Sequence, residues 1–477
     1  MPEAITIVQS RAALRDPQDC TDQADDLALL EAAFEALVRR DAGGRYRPAA
    51  AESWSLSPDA RRWTFRLRPG QTFHDGQPID AETARFAIAR MQRPEIGATL
   101  GAPAVWGQYL GDATIAATGP LTLEIETPKP TADLLDVLAP GYLLPPDLTD
   151  RPDFLAAPIG SGPYRIDAIA PGRIEMSPHP GRAESAAKPK LIWLEMPDPK
   201  DRLAAVRAGA AQIATRLAPD DDPGPAARLQ AHVDPVSIIY LLNAASGPFR
   251  DARLRRAVNL ALDRDALIAS VLAGAGAPLR SYVSGGHFGA DPAAPDLTDR
   301  AAAQALLRDA GCDGGLALTV DCPTRLPDEA VALTQAVAAQ LAPFGIRLDI
   351  RYHDDRVAYA ERVRAKAIGD MCVFDSSPMS VFRVLNEKID SRWQGAWWQG
   401  YANAKVEALL DRGRRAVDER AREALYAAAF RALRDDPPWL YLYNRVRAAA
   451  FAPAAQGWTI RQDGVLAETA AQERFSR

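Results

Sequence analysis

Apolar and polar residues alternate with period 2 at 63–68, Trp63-Thr64-Phe65-Arg66-Leu67-Arg68, and again at 121–127. Each run predicts a half-buried strand. Pro69-Gly70 closes the first as a turn. Ile5-Thr6-Ile7-Val8 predicts an opening strand, and the polar stretch 16–22 separates it from a helix over 27–38 with Leu30, Phe34 and Leu37 on one face. Further strands are expected at 237–243, 316–320, 346–350 and 439–443, with another ending at Met371-Cys372. Helical spacing predicts helices over 251–262, 301–310 and 331–341, and two more within 404–434. Gly311 ends the second of these as a glycine just past a helix terminus. Strand–helix–strand alternation of this kind argues for an α/β lobe with a largely parallel sheet. A β-rich early region precedes it, and the chain shows no internal repeat and no low-complexity tail.

The chain has 477 residues, which suggests about three domains or large lobes. A net charge of −6 disfavours a general nucleic-acid binder. The 38 prolines argue against a coiled coil or an all-helical bundle. No apolar run is long enough to span a membrane. The start, Met1-Pro2-Glu3-Ala4, lacks the basic and apolar regions of a secretory leader, so the chain is either cytoplasmic or exported with its leader already removed. Cys20, Cys312, Cys322 and Cys372 form no Cys-x-x-Cys pair. Cys312 and Cys322 either bridge in an oxidising space or remain free buried thiols.

Catalytic and cofactor motifs are absent from the sequence. Gly160-Ser161-Gly162-Pro163 has the wrong spacing for a nucleophile elbow. No phosphate loop or dinucleotide fingerprint is present, and no two histidines stand four apart as in a zinc-hydrolase helix. Neither a cofactor nor a metal site is expected. His74, in Phe73-His74-Asp75-Gly76, is expected to cap a turn. His287 lies in the glycine-rich loop 284–289 and is either a ligand contact or an exposed loop histidine. Trp393, Trp397 and Trp398 fall within six residues and cannot share one helix face; they either line a cleft or plug their own lobe. Arg325 follows a strand and precedes a helix, where α/β sheets bind ligands. Its guanidinium either grips a carboxylate or forms a surface salt bridge. Asp375 and Ser376 follow another strand; Asp375 either accepts from an ammonium group or caps the next helix.

Three passages together resemble one family: 63–78, Pro158-Ile159-Gly160-Ser161-Gly162-Pro163-Tyr164-Arg165-Ile166, and 248–268 with Leu254-Arg255-Arg256-Ala257-Val258-Asn259 and Asp263-Arg264. Residues 305–311 and the late Gly400-Tyr401-Ala402-Asn403 fit as well. In order and spacing, over nearly the whole chain, they resemble the extracytoplasmic solute-binding proteins of peptide and nickel ABC importers, the oligopeptide-binding family. The resemblance implies an α/β, two-lobed periplasmic-binding-protein fold with a hinge of two strands. Lobe I would comprise 1–41, 161–247 and 445–477, with an extra β-rich subdomain at 42–160, and lobe II would be 248–444. It implies a periplasmic monomer that is not an enzyme, with an ABC permease and a small solute as partners and no nucleic acid.

In peptide-binding relatives an arginine at the position of Arg325 grips the peptide carboxylate. Those relatives carry Gly-Trp where this chain has Phe374-Asp375, and their amine-anchoring aspartate falls near Pro378, which leaves Asp375 as the substitute. Nickel-binding relatives place a histidine near Trp393. The early loop, Cys20 to Asp25, and Trp106 lie where relatives contact ligand from the other lobe. The implied ligand-binding set is Arg325, Asp375, Ser376, Trp393, Trp397, Trp398, Trp106, Cys20 and His287. The expected cargo is a carboxylated or peptide-like solute, captured between lobes that close over it. A nickel metallophore complex is the alternative, and an amide or ester hydrolase, resting on Asp375, Ser376 and Ser377, is the remote one.

Overall fold

Alternation buries Ile5 and Ile7 on β1 (Ala4–Gln9), the first strand of the computed structural model. Residues 3–41, 43–97, 104–146, 153–182, 188–312, 314–325, 327–376 and 379–469 are described; Ser377 and Pro378, named above, lie outside them. The chain divides into two compact units. The first runs to His232 and resumes at Arg447; the second is Val233–Val446.

In the first unit, α1 (Ala24–Ala33), β2 (Val38–Arg40) and β3 (Tyr46–Pro48) lead into an antiparallel sheet of order β4-β5-β7-β6. Its strands are β4 (Ala51–Leu56), β5 (Arg62–Leu67), β6 (Thr114–Gly119) and β7 (Thr122–Glu126), with α2 (Ala81–Arg90) and the single turn α3 (Gly107–Leu110) inserted before β6. The alternation read at 63–68 is real: Trp63, Phe65 and Leu67 are buried and Arg66 is exposed. After the turn α4 (Leu135–Leu138) come β8 (Tyr164–Ala170), β9 (Arg173–Pro178), β10 (Lys190–Glu195), α5 (Pro199–Arg207) and β11 (Ile213–Leu217). β1 runs parallel to both β10 and β11, pairing Ile7 with Trp193 and with Ile213.

The first helix ends earlier than its periodicity predicts. α1 stops at Ala33 because the Gly162 N–H takes the Ala33 carbonyl at 2.9 Å. Leu37 then leaves the helix direction, and its carbonyl accepts from Ala51 N at 3.0 Å. A side chain on Gly160 would put Cβ 2.0 Å from Ala33 O, and one on Gly162 would put it 2.5 Å from Ala33 C. Gly160-Ser161-Gly162 is therefore a packing element against the helix end. Ser161 is fully buried and its hydroxyl accepts from Glu35 N at 3.3 Å, which is no posture for a nucleophile.

β12 (Arg228–Leu242) passes from the first unit into the second. There follow α6 (Ala252–Ala261), α7 (Arg264–Leu272), β13 (Gly276–Pro278), α8 (Arg300–Asp309), β14 (Leu316–Pro323), α9 (Ala330–Leu341), β15 (Ile346–His353), α10 (Arg356–Arg364), β16 (Met371–Ser376), α11 (Val381–Lys388), α12 (Ala404–Arg415) and α13 (Glu419–Asp435). β17 (Trp439–Phe451) returns to the first unit, where β18 (Trp458–Ile460) and β19 (Leu466–Glu468) form a small hairpin. Strand order in the second unit is β15-β14-β16-β12-β17, with β13 on β17. β14 is parallel to β15 and β16, and β12 is antiparallel to β16. Most of its helices start on a side-chain cap, including Asp251, Asp263, Asp299, Asp355, Asn403 and Asp418.

The motif passage at 254–264 is structural. The Asn259 amide donates to Trp439 O at 2.8 Å, and its oxygen accepts from Tyr441 N at 3.0 Å. Arg264, fully buried, donates to Tyr441 O at 2.9 Å and to Asn259 O at 3.1 Å. Burial lowers its pKa to about 10. These bonds hold α6 and α7 to β17 and satisfy backbone groups that would otherwise be buried unpaired.

Candidate functional site

Because β14, β15 and β16 are parallel, their carboxyl ends share one edge of the second unit's sheet, where α/β proteins place ligands. Thr324 ties two of these ends together: its N–H donates to His353 O at 3.0 Å and its hydroxyl to Asp354 at 2.9 Å. Arg325 follows directly. It is exposed and has no hydrogen-bond or ion-pair partner among the described residues.

Asp375 and Ser376 end β16 opposite Ile238 and Ser237 of β12. Asp375 does not cap the next helix; Ser380 does, accepting from Arg383 N at 3.0 Å. The Asp375 carboxylate has no partner among the described residues, while its backbone carbonyl accepts from Lys388 Nζ at 3.1 Å. Strand alternation puts Phe374 and Ser376 on one face and Asp375 on the other. On the Phe374 face, the Trp397 ring lies 4.8 Å from the Phe374 ring. Lys388 Nζ stands 5.8 Å and Arg356 Cζ 5.9 Å from the same ring.

The three tryptophans separate. Trp397 packs on Phe374 and is nearly buried. Trp398 turns back on its own loop, its indole N–H donating to Tyr401 O at 2.6 Å. Trp393 lies under the Arg414 guanidinium at 5.7 Å. Arg392 and Arg414 both bind the fully buried Asp390. Burial raises the Asp390 pKa, and the two arginines outweigh it, holding the carboxyl below its usual range.

His287 is buried, not an exposed loop residue. Its Nδ1 is 2.8 Å from Ser284 Oγ, and the loop rests on α13, with Phe288 edge-on to Tyr426. In the first unit, Trp106 is fully buried and donates its indole N–H to Gln18 O at 2.6 Å, which brings it to the early loop that holds the buried Cys20. Asp26 is also buried there, its Oδ1 without a hydrogen-bond partner among the described residues, and burial raises its pKa. Cys312 and Cys322 are both free. The Cys322 thiol accepts from the Thr334 hydroxyl at 3.3 Å.

Several residues at the edge were not singled out from the sequence. Glu329 and Arg445 form a two-point ion pair. The Asn444 amide donates to Asp234 O at 2.9 Å and to Ser237 Oγ at 3.1 Å. Arg356, which opens α10 just beyond β15, follows the same strand-end rule that pointed to Arg325. The whole of α11 is buried, with Arg383 and Glu387 paired at 3.2 Å.

The family model described as "Bacterial extracellular solute-binding proteins, family 5 Middle" matches residues 45–379. The glutathione-binding protein GsiB of Salmonella paratyphi A (strain ATCC 9150 / SARB42) is 24% identical over 486 residues, covering 97% of this chain and 92% of that protein. HbpA2 from Haemophilus parasuis superimposes with a TM-score of 0.82 at 18% identity, covering 98% of this chain and 99% of that one. The ABC transporter-associated periplasmic binding protein DppA from Helicobacter pylori, in complex with the peptide STSA, gives 0.75 at 20% identity over 97% and 96%. With the α/β units and the strand-end edge already in place, the match over most of its length shows that this chain belongs to the bacterial extracellular solute-binding proteins of family 5.

Proposed function

We propose that the chain binds a short peptide-like solute with a free carboxylate, held by Arg325 at the carboxyl end of β14, and delivers it to an ABC importer permease. The single observation that carries this reading is the exposed Arg325 guanidinium, which has no ion-pair partner among the described residues. A guanidinium fork matches a carboxylate in two parallel hydrogen bonds. Phe374 and Trp397 add an apolar wall for a side chain. The glutathione named for GsiB and the peptide bound by DppA are solutes of this class. Asp375, whose carboxylate has no partner among the described residues, serves the ammonium end.

The protein acts as a periplasmic monomer and binds its solute without converting it. Its net charge of −6 does not suit nucleic acid. A thermal-shift screen with dipeptides, free amino acids, glutathione and sugars tests the reading. A ligand at about 100 times its Kd stabilises by about 2.7 kcal/mol, a rise of several degrees. Dipeptides or glutathione raise Tm, Arg325→Gln abolishes the rise, and mass spectrometry recovers the ligand intact after overnight incubation. A rise with sugars alone, or peptide binding unchanged in Arg325→Gln, rules the carboxylate clamp out. A cleaved ligand rules out a pure binding role.

A further inference from the structure

Arg356 has no acceptor among the described residues. Its Nε and Nη1 are buried without a hydrogen-bond partner, and no described residue forms an ion pair with it. A charged donor left in this state is costly unless something outside the chain supplies the acceptor. Nearby acids are already engaged. The Asp355 carboxylate caps α10 through Val357 N and Ala358 N. Asp354 accepts from Thr324. Asp321 is fully buried and holds His353 at 2.7 Å and Gly369 N at 2.6 Å, with Arg362 at 3.8 Å. What holds the Arg356 guanidinium is aromatic: it stands 5.6 Å from the Tyr359 ring and 5.9 Å from the Phe374 ring.

The register places this orphan cation beside the proposed clamp. Pro323 of β14 pairs with His353 of β15. Arg325, in the bend after β14, lies two residues beyond the first, and Arg356, the first residue of α10, three beyond the second; Thr324 N–H donates to His353 O at 3.0 Å, so both arginines leave one joined pair of strand ends. Lys388 Nζ, 5.8 Å from the Phe374 ring, adds a further positive charge at that ring. We infer that Arg356 is a second carboxylate anchor, so that the preferred solute is a peptide-like acid with two carboxylates, the main-chain one on Arg325 and a side-chain one on Arg356. The inference rests on the peptide reading above and adds charge selectivity to it. In the ligand-free chain the two rings hold the guanidinium; a carboxylate arriving beside Phe374 gives the fork its acceptors.

Calorimetric titration of the full chain with Ala-Glu, Ala-Gln and Ala-Ala tests it. Wild type should bind Ala-Glu about tenfold more tightly than Ala-Gln, because only the former carries the second carboxylate. In Arg356→Gln that ratio should collapse to about one, and in Arg356→Lys, which keeps the charge without the fork, it should fall between the two. The ratio, unlike an affinity, is not moved by a merely structural role. If Arg356→Gln does not fold, the Lys variant is read against wild type in the same way. Peptide binding with no Ala-Glu preference in wild type, or a preference that survives in the variants, overturns the second anchor and leaves the peptide reading standing. If wild type binds none of the three, the second anchor fails, and if glutathione also raises no Tm, the peptide reading fails with it.

Discussion

Glu329 and Arg445 meet in a two-point ion pair, Oε1 to Nε at 3.0 Å and Oε2 to Nη2 at 2.6 Å, and the Tyr443 hydroxyl donates to the same Oε1 at 3.0 Å. Glu329 is the residue that precedes α9, and Arg445 is the next-to-last residue of the second unit on β17. Burial pushes the Glu329 pKa up, and the Arg445 hydrogen bond and charge outweigh it, so the carboxyl sits below its ordinary 4.5. A carboxyl with a depressed native pKa stabilises the fold above about pH 4.5 and loses that contribution as pH falls through the native value. Glu329→Gln should therefore cost about 2–3 kcal/mol at pH 7, since both partners are largely out of water. Urea unfolding of wild type and variant at pH 7 and pH 3 checks this: the gap should be present at pH 7 and smaller at pH 3. Equal gaps at both would show that the charge contributes nothing.

The glycines of the 160–162 segment carry a sharper expectation. Gly160→Ala would place a methyl carbon 2.0 Å from Ala33 O, a backbone atom that cannot move aside without unwinding the end of α1. Overpacking of this kind costs about 1–3 kcal/mol, and more where backbone is the obstacle. Gly457→Ala is the control, because nothing lies within 4 Å of the new methyl. Denaturant midpoints should drop strongly for the first and hardly change for the second. A Gly160→Ala protein as stable as wild type would mean that the helix end is not packed as described.

Much of the fold was legible because its patterns are local. The alternation at Trp63, Phe65 and Leu67 and the helical spacing at Leu254, Val258 and Ala261 need no distant partner to be read, and both elements stand where they were expected. What was not legible depends on distant chain. α1 ends at Ala33 because of a glycine more than a hundred residues away. β17 extends well past the apolar run 439–443 because it changes partner, from β13 at Tyr443–Arg445 to β11 at Ala448–Phe451. α11 was expected only as the helix after Asp375, without bounds, and nothing local to Arg383, Glu387 and Lys388 shows that all three are buried. The candidate site divides in the same way. Arg325 was visible from its place after a strand, but the isolation of Arg356 depends on Phe374, Tyr359 and acids committed elsewhere.

The thiols should differ in reactivity. Cys312 is part-exposed, whereas Cys20, Cys322 and Cys372 are buried. Burial raises the Cys322 thiol, with the Thr334 hydroxyl only partly opposing, and raises Cys372 strongly. Since the thiolate is the reacting form, iodoacetamide at pH 8 should label Cys312 first, as read by peptide mass spectrometry. Non-reduced digests should contain no Cys312–Cys322 peptide. Labelling of Cys322 ahead of Cys312 would contradict the burial of the strand β14 end.

The last expectation concerns pH. His74 Nε2 donates to Gly162 O at 3.0 Å, its Nδ1 accepts from Gly160 N at 3.3 Å, and its ring sits edge-on to His179 at 4.8 Å. Rather than capping its own turn as expected, its ring clamps the glycine segment that stops α1. Burial disfavours the imidazolium and lowers the pKa from 6.5 to about 4, which the Gly162 carbonyl only partly opposes. Above pH 6.5 the ring is neutral whether folded or unfolded, and the full stability is present. Between about 6.5 and 4 the unfolded chain takes up a proton that the folded one refuses, so stability falls, by up to roughly 3 kcal/mol from this group. His179, also lowered by burial, adds to the fall in the same direction. Urea unfolding at pH 7.5, 6 and 5 should show stability dropping on acidification. In His74→Gln, which cannot titrate, the slope should shrink to the share left by His179, while stability at pH 7.5 drops because Nδ1 no longer receives the Gly160 N–H. A slope as steep in the variant as in wild type would assign the acid sensitivity to other groups.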